Sequence, residues 1–235
     1  MGSRTNRRFR IRLGKPSLRS FFLWLVVGIL VLWSFAALLL IAARWIDPPT
    51  TAVQSERRWQ ALIHGKRYQK RFDFVPLNQI SPELQHAVVA AEDVRFYQHH
   101  GFDWHEVQIA AQQDFEGERT RGASTLTQQL VKNLFFGTGR SIFRKAAEAT
   151  LVPVAEIFLG KRRILELYLN LVEWGPGVYG AEAASRFYYR TSARNLGRLE
   201  AAQLAAVLPA PLKRRPERMT RYPAIILARM RQMGW

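Results

Sequence analysis

The sequence predicts a mainly α fold preceded by one membrane-spanning helix, and three observations predict it. Phe21 to Ala43 is a run of 23 residues with no charge and a single serine, Ser34, long enough to cross a bilayer core. Later segments around Leu84–Ala91, Leu126–Leu134 and Ile164–Leu171 repeat apolar residues at helical spacing. No stretch alternates apolar and polar residues as a half-buried strand would.

The elements follow in chain order. Residues 1–20 carry seven basic groups and no acid (Arg4, Arg7, Arg8, Arg10, Arg12, Lys15, Arg19). A basic flank of this kind stays cytoplasmic, which sends the chain after Arg44 to the outer side. A cleaved secretory signal is the competing reading, but its apolar region would run about 7–15 residues and end at a small-x-small site, which is missing here. The net charge of +17 leaves +10 for the remainder once the seven cations of the tail are removed. Such a surplus suits nucleic acid, anionic lipid or a phosphorylated substrate without choosing among them. The absence of cysteine excludes structural disulfides and thiolate catalysis.

Asp47-Pro48-Pro49-Thr50-Thr51 reads as a stiff exit from the membrane. Residues 52–80 interleave Arg57, Arg58, Lys66, Arg67, Lys70 and Arg71 with Trp59, Tyr68, Phe72 and Phe74. An outer location turns that pattern away from nucleic acid and towards anionic lipid. The chain thus divides into a basic cytoplasmic tail (1–20), a transmembrane helix (21–43), a membrane-proximal linker (44–71) and one catalytic domain (72–235).

Ser81 and Pro82 open a helix whose apolar positions Leu84, Ala87, Val88 and Ala91 predict burial, and Glu92 and Asp93 arrive where it ends. The negative end of the helix dipole and apolar neighbours both raise a carboxyl pKa, as a general base requires. An ordinary surface network with Arg95 or His99 is the alternative. His105 to Arg121 reads as a mobile loop or flap. Gly122 to Phe136 begins with a capping box, Thr125 and Gln128. Its polar face (Thr125, Gln128, Gln129, Lys132) opposes Leu126, Leu130, Val131 and Leu134, predicting a ligand-facing stripe rather than a solvated face.

Arg144 and Lys145 share a helix face with Glu148, a spacing that also suits a routine ion pair. Pro153 predicts a kink beyond them, and Gly175-Pro176-Gly177 ends the run. Glu200–Leu208 and Pro223–Met233 read as scaffold helices. His86, His99, His100 and His105 form no metal-ligand pattern with nearby carboxylates, so no zinc site is expected among them.

Five blocks in register, EDVRFYQHHG (Glu92–Gly101), GASTLTQQLVKN (Gly122–Asn133), RKAAE (Arg144–Glu148), KRRILELYLN (Lys161–Asn170) and GPGVYGAEAA (Gly175–Ala184), resemble the peptidoglycan glycosyltransferases of family 51. The order and spacing are closest to its monofunctional, membrane-anchored members, and the resemblance runs from about Phe72 to the C-terminus. It implies a lysozyme-like, mostly helical domain that polymerises lipid II outside the bacterial cytoplasmic membrane. It implies Glu92 as catalytic base and Glu148 as second carboxylate. Lys132, Arg140 and Arg144 would lie near the departing diphosphate, with Ser124 and Gln129 in the donor groove. Asp93, Phe96, His99 and Lys145 complete the expected substrate contacts.

The resemblance implies inversion at C1 and a β-linked product. It brings no organic cofactor and leaves a divalent cation, Mg or Mn, open at the diphosphate. The implied partners are lipid II, the growing glycan chain, the cytoplasmic membrane and other cell-wall synthesis proteins, with no nucleic acid. Departures are few. FYYRTSARNLGRL (Phe187–Leu199) is more basic than the family pattern, and Ala210 replaces a usual polar residue in LPAP. No S-x-x-K or K-T-G sequence is present, so cross-linking would come from another protein. Two rival classes stand beside this one: a lysozyme-like lytic enzyme and a non-catalytic basic membrane adaptor.

Overall fold

A computed structural model describes residues 17–115, 124–139 and 141–235. The basic tail before Ser17, Gly122 and Arg140 lie outside the described residues. The chain divides into two compact units, one ending at Ala36 and the other running from Ala37 to Trp235.

The first unit holds most of α1 (Leu18–Ala42), whose side chains are exposed along nearly its whole length. At 25 residues, α1 is long and apolar enough to cross a membrane. It starts a turn earlier than the apolar run alone suggested. Its final turns belong to the second unit, where Ala37 and Leu40 are buried.

The second unit is helical around two packed groups. In one, α3 (Pro82–Glu92) packs against α8 (Arg198–Ala205) and α9 (Arg221–Gln232); in the other, α5 (Leu126–Phe135) lies along α6 (Ile142–Leu171). Small buried residues, Ala87 and Ala90 on α3 with Ala201, Ala202 and Ala205 on α8, let those helices approach closely. Ser81 caps α3 by accepting from the Glu83 amide at 3.2 Å, and Pro82 occupies the first helical position, as predicted.

Four features depart from the sequence reading. Residues 104–115 form α4 (Trp104–Phe115), where a loop was expected; Asp103 Oδ1 accepts from the His105 and Glu106 amides at 3.1 and 3.2 Å and so nucleates the helix despite its mixed face. The helix α2 (Ala52–Ile63) occupies the supposed linker, capped by Thr51.

A small sheet is also present: β1 (Arg71–Phe72) runs parallel to β3 (Val178–Tyr179), which pairs antiparallel with β2 (Glu173–Gly175). Strands of two or three residues are too short to show a period of two. Finally, α6 passes Pro153 and breaks instead at Gly160, whose φ of 70° is open to a residue without Cβ.

Between the sheet and the second group, Asn170 fixes the approach to the core. Its side chain accepts from the Val75 amide and donates to the Val75 carbonyl, both at 2.9 Å. Gly180 (φ 84°) lies so close to the Asn170 carbonyl that a Cβ would collide with it. The helix α7 (Ala181–Tyr189) then leaves the sheet with Ala181, Ala183 and Ala184 facing inward.

Candidate active site

The end of α3 opens into a cleft of about 320 Å³, with Glu92 and Asp93 on one side and Ser124, Thr125 and Gln129 on the other. Glu92 keeps some solvent access there while protein surrounds most of its carboxylate. Burial is the largest influence and pushes its carboxyl above the ordinary carboxylate value. The negative charge of Asp93 acts in the same direction. Opposing both are the Gln129 hydrogen bond and the positive charges of Arg214 and Lys132.

Gln129 Nε2 donates to Glu92 Oε2 at 2.8 Å, and Gln129 Oε1 accepts from the Tyr168 hydroxyl at 2.9 Å. Tyr168 is wholly buried on α6, and burial raises its hydroxyl pKa well above normal, so the phenol stays a donor. Its hydroxyl fixes which end of the amide faces the carboxylate. The polar stripe predicted on α5 therefore does meet Glu92, through a residue, Tyr168, that the sequence offered only as a helix-core position.

Asp93 has a different environment from its neighbour. Its carboxylate lies 2.9 and 3.1 Å from His99 Nε2, and Oδ2 accepts from the Leu126 amide at the start of α5 at 2.9 Å. His99 Nδ1 in turn accepts from the Gly101 amide at 3.1 Å, which assigns the ring proton to Nε2. Asp93 and His99 are thus engaged with one another and with the helix start. Phe96 is fully buried beneath the Lys161 ammonium at 4.6 Å, so the substrate contact expected of it is not one the fold offers.

Asp93, His99 and Asp103 place one potential ligand atom each within 4.8 Å of one another. This grouping was not expected, because it depends on the turn from Asp93 to Asp103 folding back. Both ring nitrogens of His99 and both oxygens of Asp93 already serve hydrogen bonds. A divalent cation there would displace the bonds that hold the start of α5, so the set fits a structural tie and does not fit the cation considered for the diphosphate.

On α6, Glu148 is buried, with Arg144 Nη1 2.7 Å from Oε1 and Lys145 Nζ 3.9 Å from Oε2. The Arg144 contact is an ion pair without hydrogen-bond alignment, and Glu148 Oε1 has no aligned donor in the protein. Arg144 also donates to the Gly137 carbonyl at 3.3 Å, and Lys145 to Ser124 Oγ at 3.4 Å. The fold therefore joins Ser124, Arg144, Lys145 and Glu148 across the start of α5 and the first turns of α6. Lys132 lies near enough to Glu92 to act on its charge.

Several lining residues escaped sequence reasoning. Asp103, Glu106, Pro209, Tyr222 and Arg229 complete the cleft. Tyr222 and Arg229 are anchored by bonds to the carbonyls of Ala91 and Ala90 at 3.3 and 3.1 Å. Arg214 is held over the Tyr222 ring at 5.5 Å and by the Ala206 carbonyl at 2.8 Å. No local signal marked them: Asp103 and Glu106 arrive through the turn that folds back after Asp93, and Pro209, Arg214, Tyr222 and Arg229 approach because α8 and α9 pack on α3.

Fold and site together define a class: a helical domain with a desolvated carboxyl and nearby cations, preceded in the chain by a helix apolar enough to span a membrane. A family model described as Transglycosylase matches residues 59–231. The chain is 45% identical over 216 residues to a biosynthetic peptidoglycan transglycosylase of Pseudomonas putida, covering 90% of this chain and 89% of that protein. It is 45% identical over 219 residues to one of Shewanella oneidensis (91% and 92% covered) and 43% identical over 207 residues to one of Pseudomonas aeruginosa (87% and 89%). The chain belongs to the transglycosylase family, and its mainly α second unit is the lysozyme-like domain of that family.

Proposed function

We propose that this protein elongates peptidoglycan glycan strands from lipid II, with Glu92 as general base and polyprenyl diphosphate as leaving group. The single observation that carries the reading is the Tyr168–Gln129–Glu92 relay, which orients a carboxylate whose pKa burial has raised. In the step, the 4-hydroxyl of one lipid-linked disaccharide gives its proton to Glu92 while its oxygen bonds to C1 of the growing chain's terminal sugar. The C1–O bond to the diphosphate breaks, and its electron pair leaves with the diphosphate. Direct displacement inverts C1.

A positioned base contributes about 10²–10⁴-fold, so stabilisation of the leaving diphosphate has to supply much of the remainder. Lys132 and Arg144 are the described cations for that task, and Arg140 is assigned to it by the resemblance alone. Glu148 holds Arg144 and Lys145 on one face. Ser124 and Gln129 line the donor side. No step is routed through Mg or Mn, because the carboxylate and imidazole group nearest the cleft is committed to the fold.

The domain works on the outer face of the bacterial cytoplasmic membrane, with α1 as anchor and the N-terminus inside. Its partners are lipid II, the growing chain and other cell-wall synthesis proteins. Labelled lipid II and size separation of the products test the reading. The parent protein should build long glycan and leave finished glycan intact, whereas Glu92→Gln should bind lipid II and build none. Near-normal polymerisation by that variant removes Glu92 from the role, and cleavage of finished glycan by the parent moves the protein to the lytic class.

A further inference from the structure

A second cleft, of about 460 Å³, lies between α2, the segment that follows it, and the turn joining β2 to β3. The mechanism uses none of it. Arg57, His64, Lys66, Arg67 and Tyr68 are among its lining groups, and Glu173 is the only acid among its described lining residues. Glu173 is buried against Arg57 Nε at 3.1 Å and accepts from the Tyr179 hydroxyl at 3.3 Å. Its charge is thereby matched inside the fold, and the accessible charge of the cleft is positive. Lys66 and Arg67 are exposed and make no ion pair among the described residues.

The outer side of the same helix is apolar. Trp59, Leu62 and Ile63, at i, i+3 and i+4, are 65%, 58% and 77% exposed. Exposed apolar residues of this size on one helix face, beside unpaired cations, are the pattern of a helix lying in a membrane interface. The chain connection agrees. Nine residues, 43–51, separate the end of α1 from the start of α2, a reach of at most about 35 Å. Lys70 Nζ donates to the Pro49 carbonyl at 3.0 Å, tying the basic segment back to that connection.

We infer that this cleft binds the phosphodiester head group of an anionic phospholipid, with Lys66 and Arg67 on the phosphate and Trp59, Leu62 and Ile63 among the upper acyl carbons. The site is separate from the Glu92 cleft and does not depend on the reaction assigned there. Each cation near an anionic surface is worth about 1 kcal/mol, or about fivefold in affinity.

The test uses the full chain in phosphatidylcholine bilayers carrying phosphatidylglycerol, with bromine on the acyl chains of one lipid or the other. Trp59 quenching is isolated by subtracting the signal of Trp59→Phe. Phosphatidylglycerol should quench Trp59 preferentially, and Lys66→Gln should lower that preference about fivefold. Arg67→Gln should do the same, whereas Arg231→Gln, on α9 outside the cleft, should leave it unchanged. Polymerisation by the Lys66 and Arg67 variants should match the parent, which certifies their fold. Equal quenching by the two lipids, or a preference that survives Lys66→Gln with Arg67→Gln, overturns the inference. Loss of the preference on adding inorganic phosphate at constant ionic strength assigns the cleft to free phosphate and overturns the lipid as its ligand.

Discussion

Replacing Gln129 by alanine removes the donor 2.8 Å from Glu92 and leaves the rest of the carboxylate's surroundings in place. That bond favours the ionised form, so its loss raises the Glu92 pKa further above the ordinary value. A hydrogen bond to a charged group is worth about 1.5–3 kcal/mol. Because some of it survives in the protonated state, the lower end applies, corresponding to about a tenfold loss of ionised Glu92 at pH values below its pKa. A general base works only when ionised. The acid limb of kcat against pH should therefore move to higher pH in Gln129→Ala, with about tenfold less activity on that limb. At pH values where Glu92 is fully ionised in both proteins, the deficit should shrink. Tyr168→Phe, which only frees the far end of the amide, should move the limb the same way by less. Initial rates on labelled lipid II across the acid range measure this, and an unmoved limb, or one displaced to lower pH, refutes the relay.

Lys132→Ala should lower kcat by orders of magnitude, since loss of one donor to developing charge in a desolvated site costs about 2.7–4 kcal/mol; a change of less than about twofold would assign Lys132 to ordinary surface charge. Asp93→Asn should destabilise the domain by about 1–3 kcal/mol, because an amide nitrogen replaces one of the two carboxylate oxygens that accept from His99 Nε2 and the Leu126 amide, and thermal melting reads this directly. Glu92→Gln should be more stable than the parent at neutral pH. A raised folded pKa means that the native state holds its proton more tightly, so Glu92 costs stability as pH rises through that pKa, and the difference between the two proteins should vanish in acid below the unfolded pKa. Gly160→Ala should cost about 1–3 kcal/mol from backbone strain alone, because φ 70° with ψ 162° is a conformation essentially reserved for glycine while its Cβ would meet no neighbour, whereas Gly180→Ala should cost more where the Asn170 carbonyl also blocks the space.

The sequence by itself determined the elements whose signals are local. Ser81-Pro82 and the Thr125/Gln128 box mark helix starts through bonds to amides two and three residues ahead, and both appear in the structure. The apolar run that became α1 needs no tertiary partner to be read, since bilayer thickness alone sets its length. Glu92 was legible in part: a carboxyl at the end of an apolar helix is a candidate for desolvation, and the burial itself comes from the elements packed around the end of α3. Tertiary structure decided the rest. Asp93 and Glu92 are adjacent in sequence, yet one is tied to His99 and the start of α5 while the other faces the cleft, and only the fold-back at Gly101 separates their fates. Tyr168, Arg214, Tyr222 and Arg229 reach the site from segments remote in the chain, so no spacing could announce them. The position of the break in α6 was likewise a tertiary outcome. Pro153 is tolerated where the helix can continue past a missing amide, but the positive φ at Gly160 requires a residue without Cβ, and packing of the following segment against the core selects where that freedom is used.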